Sequence, residues 1–132
     1  MEALKRWGWY YLESNHVRSG DAVMFDIDDT LIRARDGMVM FPMLDVLLHA
    51  KSLGYHVVII TARPRLQEVV NYTVQQMRDL DIPYDELGFC DAADKGRLKK
   101  HLGYNFVLSV GDMETDLTET LHGLNTMTYE HF

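Results

Sequence analysis

The chain has 132 residues, 47% apolar and 25% charged, enough for one domain with a real core and too apolar for a disordered segment. A net charge of −7 disfavours nucleic acid and anionic membrane as nonspecific partners, while leaving room for a local basic patch. The lone Cys90 excludes an internal disulfide, no signal-peptide apolar core follows the charged opening Met1 to Arg6, and no apolar run approaches the ~20 residues of a membrane span, so the expectation is a soluble cytoplasmic protein without a membrane partner.

Leu4, Trp7 and Tyr11, with Tyr10 beside them, form an aromatic face on an amino-terminal helix, an extension over residues 1–19 that serves as core packing or as a subunit contact. Ala22 to Phe25 is a short buried strand. Asp36-Gly37 signals a turn, and Met38 to Phe41 forms one arm of a short hairpin. Pro42 opens a helix that runs to Leu53 and stops at Gly54. Val57 to Ile60 is a second buried strand, and Pro64 to about Leu80 a helix. Leu87 to Cys90 is a weak third strand, and Lys95 to Leu102 a helix closed by Gly103. Phe106 to Val110 is a fourth strand, Glu114 to Leu121 a helix, and Thr126 to Tyr129 a fifth strand. This alternation predicts a three-layer α/β/α sandwich with a mainly parallel, five-stranded, Rossmann-like sheet.

The polar residues fall at strand ends, where open α/β sheets place ligands. Asp26-Ile27-Asp28-Asp29-Thr30 follows the first strand directly, and three carboxylates in four positions repel one another unless a cation offsets them. Thr61 ends the second strand, placed to donate to an anion together with nearby backbone N–H groups. Asp112 and Asp116 follow the fourth strand. Lys95 starts a helix, where a cation gains nothing from the helix dipole. Taken together these residues supply a nucleophile, an acid, phosphate donors and metal-binding carboxylates.

In that order the motifs resemble those of the haloacid dehalogenase superfamily: Asp26-Ile27-Asp28-Asp29-Thr30, then Val57 to Thr61 with Ala62-Arg63-Pro64, then Lys95, then Gly111-Asp112-Met113-Glu114-Thr115-Asp116. The likeness spans about residues 20 to 130 and implies a single domain of that kind over residues 1–132. It implies a magnesium-dependent phosphatase in which Asp26 attacks phosphorus to form an aspartyl-phosphate. Asp28 then serves as general acid and base. Thr61, Ala62 and Lys95 would hold the phosphoryl oxygens; Asp26, the Asp28 carbonyl, Asp112 and Asp116 would hold Mg2+; Thr30 and Arg63 are candidates to touch the substrate. Lys99 competes with Lys95 for the third motif. Asp29 stands where many relatives carry Gly.

The 30 residues between Thr30 and Thr61, and the 33 between Thr61 and Lys95, leave no room for a cap domain. Capless relatives imply a bulky substrate or a homo-oligomer that covers the site. The phosphorylated substrate itself is not legible, and nucleic acid is disfavoured by charge but open. Two alternatives stand beside the phosphatase: a non-catalytic phosphate-binding module on the same scaffold, and a phosphoacceptor receiver-like signalling domain, against which Thr61 at a central strand end argues. Cys90 and Asp91 fall on the rim of the site, and the six histidines show no metal spacing.

Overall fold

The computed structural model describes all of residues 1–132. Helix α1 (Glu2–Ser14) is followed by β1 (Asp21–Phe25), α2 (Phe41–Leu53), β2 (His56–Thr61), α3 (Gln67–Asp79), β3 (Glu86–Phe89), α4 (Lys95–Leu102), β4 (Asn105–Gly111), β5 (His122–Asn125) and β6 (Glu130–His131). The sheet order is β3-β2-β1-β4-β5-β6; β1 to β5 pair in parallel, and β6 is antiparallel to β5. No helix is long and apolar enough to cross a membrane.

β1 is buried along its whole length because it lies in mid-sheet with helices on both faces, which is why Ala22 to Phe25 is a continuous apolar run rather than an alternation. Val23, Phe25, Val57 and Ile59 project into the larger core, with Leu4 and Leu12 of α1, Met43 and Leu47 of α2 and Met77 of α3. Ala22, Met24, Val58, Ile60 and Phe106 project to the other face, where Leu98 and Leu102 of α4 pack on them. The three layers are therefore unequal. No cap domain interrupts the connections between strands.

The sheet has six strands rather than five. The chain after residue 113 departs furthest from expectation: a 3-10 turn over Glu114–Leu117 replaces the helix, and the following strand is β5, not residues 126–129. Glu119 adopts φ +54, which ends any helix there. Gly123 weakens the strand signal in the sequence, yet the ring of Phe132 lies where its Cβ would stand. The arm beyond β1 is a pair of isolated bridges, Asp28 to Ile32 and Ile32 to Val39, closed by an Arg33–Asp36 pair at 2.8 Å.

Leu4 and Tyr11 of the aromatic face are buried within the chain, whereas Trp7 and Tyr10 stay exposed. Trp7 stacks on His131 at 3.9 Å, Tyr11 on His122 at 4.0 Å, and the Tyr11 hydroxyl lies 2.7 Å from His131 Nδ1. These histidines thus fasten β5 and β6 to α1.

Candidate active site

Strands β1, β2 and β3 run outward on one side of β1, and β4 then starts on the other side, so the order reverses between β1 and β4. A crevice forms outside the carboxyl ends of strands at such a reversal. Asp26 immediately follows β1, Thr61 ends β2, and Asp112 follows β4. Asp26, Asp28, Thr61, Ala62, Arg63, Lys95 and Asp112 line one cleft of about 380 Å3. Two larger hollows of about 550 Å3, one against α1 and one beside β3, are mostly apolar and gather no comparable polar set.

Carboxylate oxygens of Asp26, Asp112 and Asp116 lie within 4.8 Å of one another. Asp116 reaches this cluster because Gly111 has no side chain: a Cβ there would collide with the Asp116 carboxyl, so close approach accounts for the glycine of the fourth motif. The Met113 N–H, donating to Asp116 Oδ2 at 3.1 Å, fixes its orientation.

Lys95 Nζ donates to Asp26 Oδ1 at 2.8 Å and to Asp116 Oδ1 at 2.6 Å. Burial, followed by the Asp116 charge, pushes the Asp26 carboxyl up to about 8, with a hydrogen bond to Asp112 adding to the rise and Lys95 opposing it. Burial would lower the Lys95 ammonium, yet Asp26 and Asp116 hold it above its usual value. The two directions agree once Lys95 is seen to serve two carboxylates: it stays charged, and Asp26 receives only part of its field. Three carboxyl groups share one ammonium, which leaves more carboxyl oxygens than Lys95 can serve. A hard divalent cation fits that all-oxygen donor set.

Lys95 and Lys99, one turn apart, are both buried but do different things. Lys99 Nζ donates to Ser109 Oγ, Asp116 O and Thr118 O at 3.0, 2.6 and 2.7 Å, behind the acidic turn and outside the cleft. Lys95 is thus the lysine that meets the carboxylates.

Thr30 is fully buried, its hydroxyl donating to Asp26 Oδ2 at 3.5 Å, and is not among the residues that line the cleft, whereas Arg63, the other candidate to touch the substrate, is. Asp29 has φ +61, a left-handed conformation that Asp tolerates and Gly adopts freely, which accounts for the residue at this position. The Thr61 hydroxyl oxygen accepts the Arg63 N–H at 3.1 Å, turning the chain at the end of β2. Cys90, Asp91 and Arg65 line an adjoining hollow of about 290 Å3 that shares Ala62, Arg63 and Pro64 with the cleft.

Arg63 grips Asp28 with two hydrogen bonds, Nε to Oδ2 at 3.0 Å and Nη2 to Oδ1 at 2.9 Å. Its Nη1 donates to Thr73 Oγ1 at 3.0 Å and Gln76 Oε1 at 2.8 Å on α3. Thr73 and Gln76 escape a sequence reading because nothing in the helical pattern of α3 marks a link to a loop about 45 residues earlier.

No protein-family model matches the chain, and no curated relative matches it significantly. Solved structures similar to it include two chains of Pnkp1/Rnl/Hen1 complexes. One chain from the structure of the Pnkp1/Rnl/Hen1 complex shares 25% identity, with a TM-score of 0.60 over 78% of this chain and 43% of its own length. A chain from the Pnkp1/Rnl/Hen1 RNA repair complex shares 24%, with a TM-score of 0.59 over 80% of this chain and 40% of its own. The chain therefore spans less than half the length of either.

Proposed function

We propose that this chain is a magnesium-dependent phosphatase of the haloacid dehalogenase type that hydrolyses phosphomonoesters through an aspartyl-phosphate on Asp26. The observation that carries the reading is the convergence of Asp26, Asp112 and Asp116 within 4.8 Å beside Lys95, at the end of the central strand. Asp26, Asp112, Asp116 and the Asp28 carbonyl are the groups to hold Mg2+, which supplies charge neutralisation for a carboxylate meeting a phosphate dianion.

In the first step an Asp26 oxygen bonds to phosphorus as the ester P–O bond breaks, and Asp28 gives its proton to the leaving oxygen. In the second, Asp28 takes a proton from water as the water oxygen bonds to phosphorus and the Asp26–phosphorus bond breaks. Lys95, the Thr61 hydroxyl and the Ala62 N–H hold the phosphoryl oxygens. The cleft has no cap, which favours a substrate that covers the site with its own bulk. Likeness to chains of an RNA repair complex makes a phosphorylated polynucleotide end the leading substrate class, despite the acidity of the chain.

The test is phosphate release from aryl and alkyl phosphates and from oligonucleotides with 3′- or 5′-terminal phosphate, with Mg2+ and with chelator. Release that needs Mg2+ and is fastest on an oligonucleotide end is the expected result. Full activity in chelator, or no release from any ester, overturns the proposal.

A further inference from the structure

The Asp28 side chain is 41% exposed on a loop, and a carboxylate so placed ordinarily samples several rotamers. Here Arg63 removes that freedom. A guanidinium has about five N–H donors, and four hydrogen bonds account for most of them: two to Asp28, one to Thr73 and one to Gln76. Thr73 is buried and spends its own proton on Val69 O at 2.8 Å, so its oxygen is free to accept from Arg63. The Arg63 side chain is 14% exposed, and its backbone N–H is engaged by Thr61. Little of this arginine is left to bind a substrate.

We infer that Arg63 is a positioning residue: anchored on α3 through Thr73 and Gln76, it holds the Asp28 carboxyl where a proton passes to the leaving oxygen. This rests on the phosphatase reading and deepens it. A planar fork gripping both oxygens sets direction as well as distance, and misplacing a reacting group by about 1 Å costs about 100-fold in rate. An arginine acting through the acid matters most when the leaving group needs a proton. One acting on the phosphoryl group matters for every ester alike.

The experiment compares kcat/KM, which reports the first chemical step, on an alkyl phosphate and on dinitrophenyl phosphate, whose leaving group departs without a proton. Arg63→Gln is expected to lose about 100-fold on the alkyl ester and to stay within about threefold on the aryl one. Arg63→Lys should recover less than about tenfold, because an ammonium cannot grip both oxygens. On the alkyl ester the double variant Arg63→Gln/Asp28→Asn should be no slower than Asp28→Asn alone, since a residue acting only through Asp28 has nothing left to position.

Equal losses on both esters, additive losses in the double variant, or a rise confined to KM would each overturn the inference and make Arg63 a substrate contact. If circular dichroism shows Arg63→Gln unfolded, Gln76→Ala decides: it withdraws one anchor, with an expected loss of about three- to tenfold on the alkyl ester alone, and an equal loss on both esters overturns the clamp. A wild-type protein inactive on both esters and on an oligonucleotide end removes the phosphatase reading and the clamp with it; one active on the esters without the leaving-group pattern removes the clamp only.

Discussion

Replacing Asp112 by Asn should change the sign of its effect on stability when magnesium is added. With no cation, Asp112 sits within 4.8 Å of the Asp26 and Asp116 oxygens, and one like-charge pair at that distance costs about 3.5 kcal/mol at an effective dielectric of about 20. Two features reduce this. Asp112 is half-buried, so water screens it, and Asp26, pushed up to about 8, is largely protonated at neutral pH in the absence of the cation. A net relief of about 1 kcal/mol remains, or about 4 °C in melting temperature for a domain of this size. Magnesium at about 100 times its Kd stabilises the wild-type protein by about 2.7 kcal/mol, or about 10 °C. A variant that binds about 100-fold more weakly gains only about 0.4 kcal/mol at the same concentration. Asp112→Asn should therefore melt above wild type in chelator and about 5 °C below it in saturating Mg2+. Calorimetric melting under both conditions is the assay, and no substrate is needed. A variant that melts lower by the same amount in both refutes the idea of a cation site held together against its own repulsion.

Three further outcomes are expected. Asp26→Asn should abolish hydrolysis of an aryl phosphate, and Asp28→Asn should slow turnover by about 10²–10⁴-fold while allowing phosphoenzyme to accumulate, which quenched-flow trapping would detect; near-normal rates in Asp26→Asn would dismiss it as the nucleophile. Gly111→Ala should cost about 1–3 kcal/mol and most of the Mg2+-dependent rise in melting temperature, since its methyl displaces the Asp116 carboxyl; denaturant melts with and without Mg2+ check it. Burial works to raise the Asp21 carboxyl, but hydrogen bonds from Asn105, the Arg18 N–H and Asn15 prevail and hold it below its usual value. A folded-state pKa below the unfolded one stabilises above about pH 4 and is lost as pH falls through it, so Asp21→Asn should lower stability at neutral pH and flatten the acid limb; a parallel acid limb in urea melts would contradict this.

Several parts of this protein were legible in its residues. α4 begins at Lys95 and ends at Leu102, as expected, because Gly103 adopts φ +76 and closes it. Residues at strand ends meet because parallel strands point their carboxyl ends the same way, so the gathering of Asp26, Thr61 and Asp112 follows from the alternation. The choice between Lys95 and Lys99 was not legible, since four residues apart on one helix they share a face. Only the turn at 114–117 and the Thr118 that follows it, which offer one lysine a carboxylate and the other two carbonyls, separate them. That turn was itself hidden: Glu114 to Leu121 is compatible with a helix, and what overrides it is the need of Lys99 for oxygens and of Asp116 for the space above Gly111. The Arg63 clamp was hidden for a different reason, since its partner lies 35 residues away and no local pattern encodes it.

The position of β1 between β2 and β4 also governs the order in which the molecule assembles. The β1–β2 pair joins Val23 to Val57, a moderate loop, whereas the β1–β4 pair joins Ala22 to Phe106, so closing it restricts most of the chain. Loop entropy delays such non-local pairings in folding. The acidic cluster draws Asp26 from one side of that late pairing and Asp112 and Asp116 from the other, so it is completed only near the end of folding, when carboxylates that repel one another come together last. A cation that binds only once the cluster is complete should leave the refolding rate nearly unchanged and slow unfolding, lengthening the lifetime of the native state against proteolysis and heat, which stopped-flow refolding and unfolding with and without Mg2+ would check.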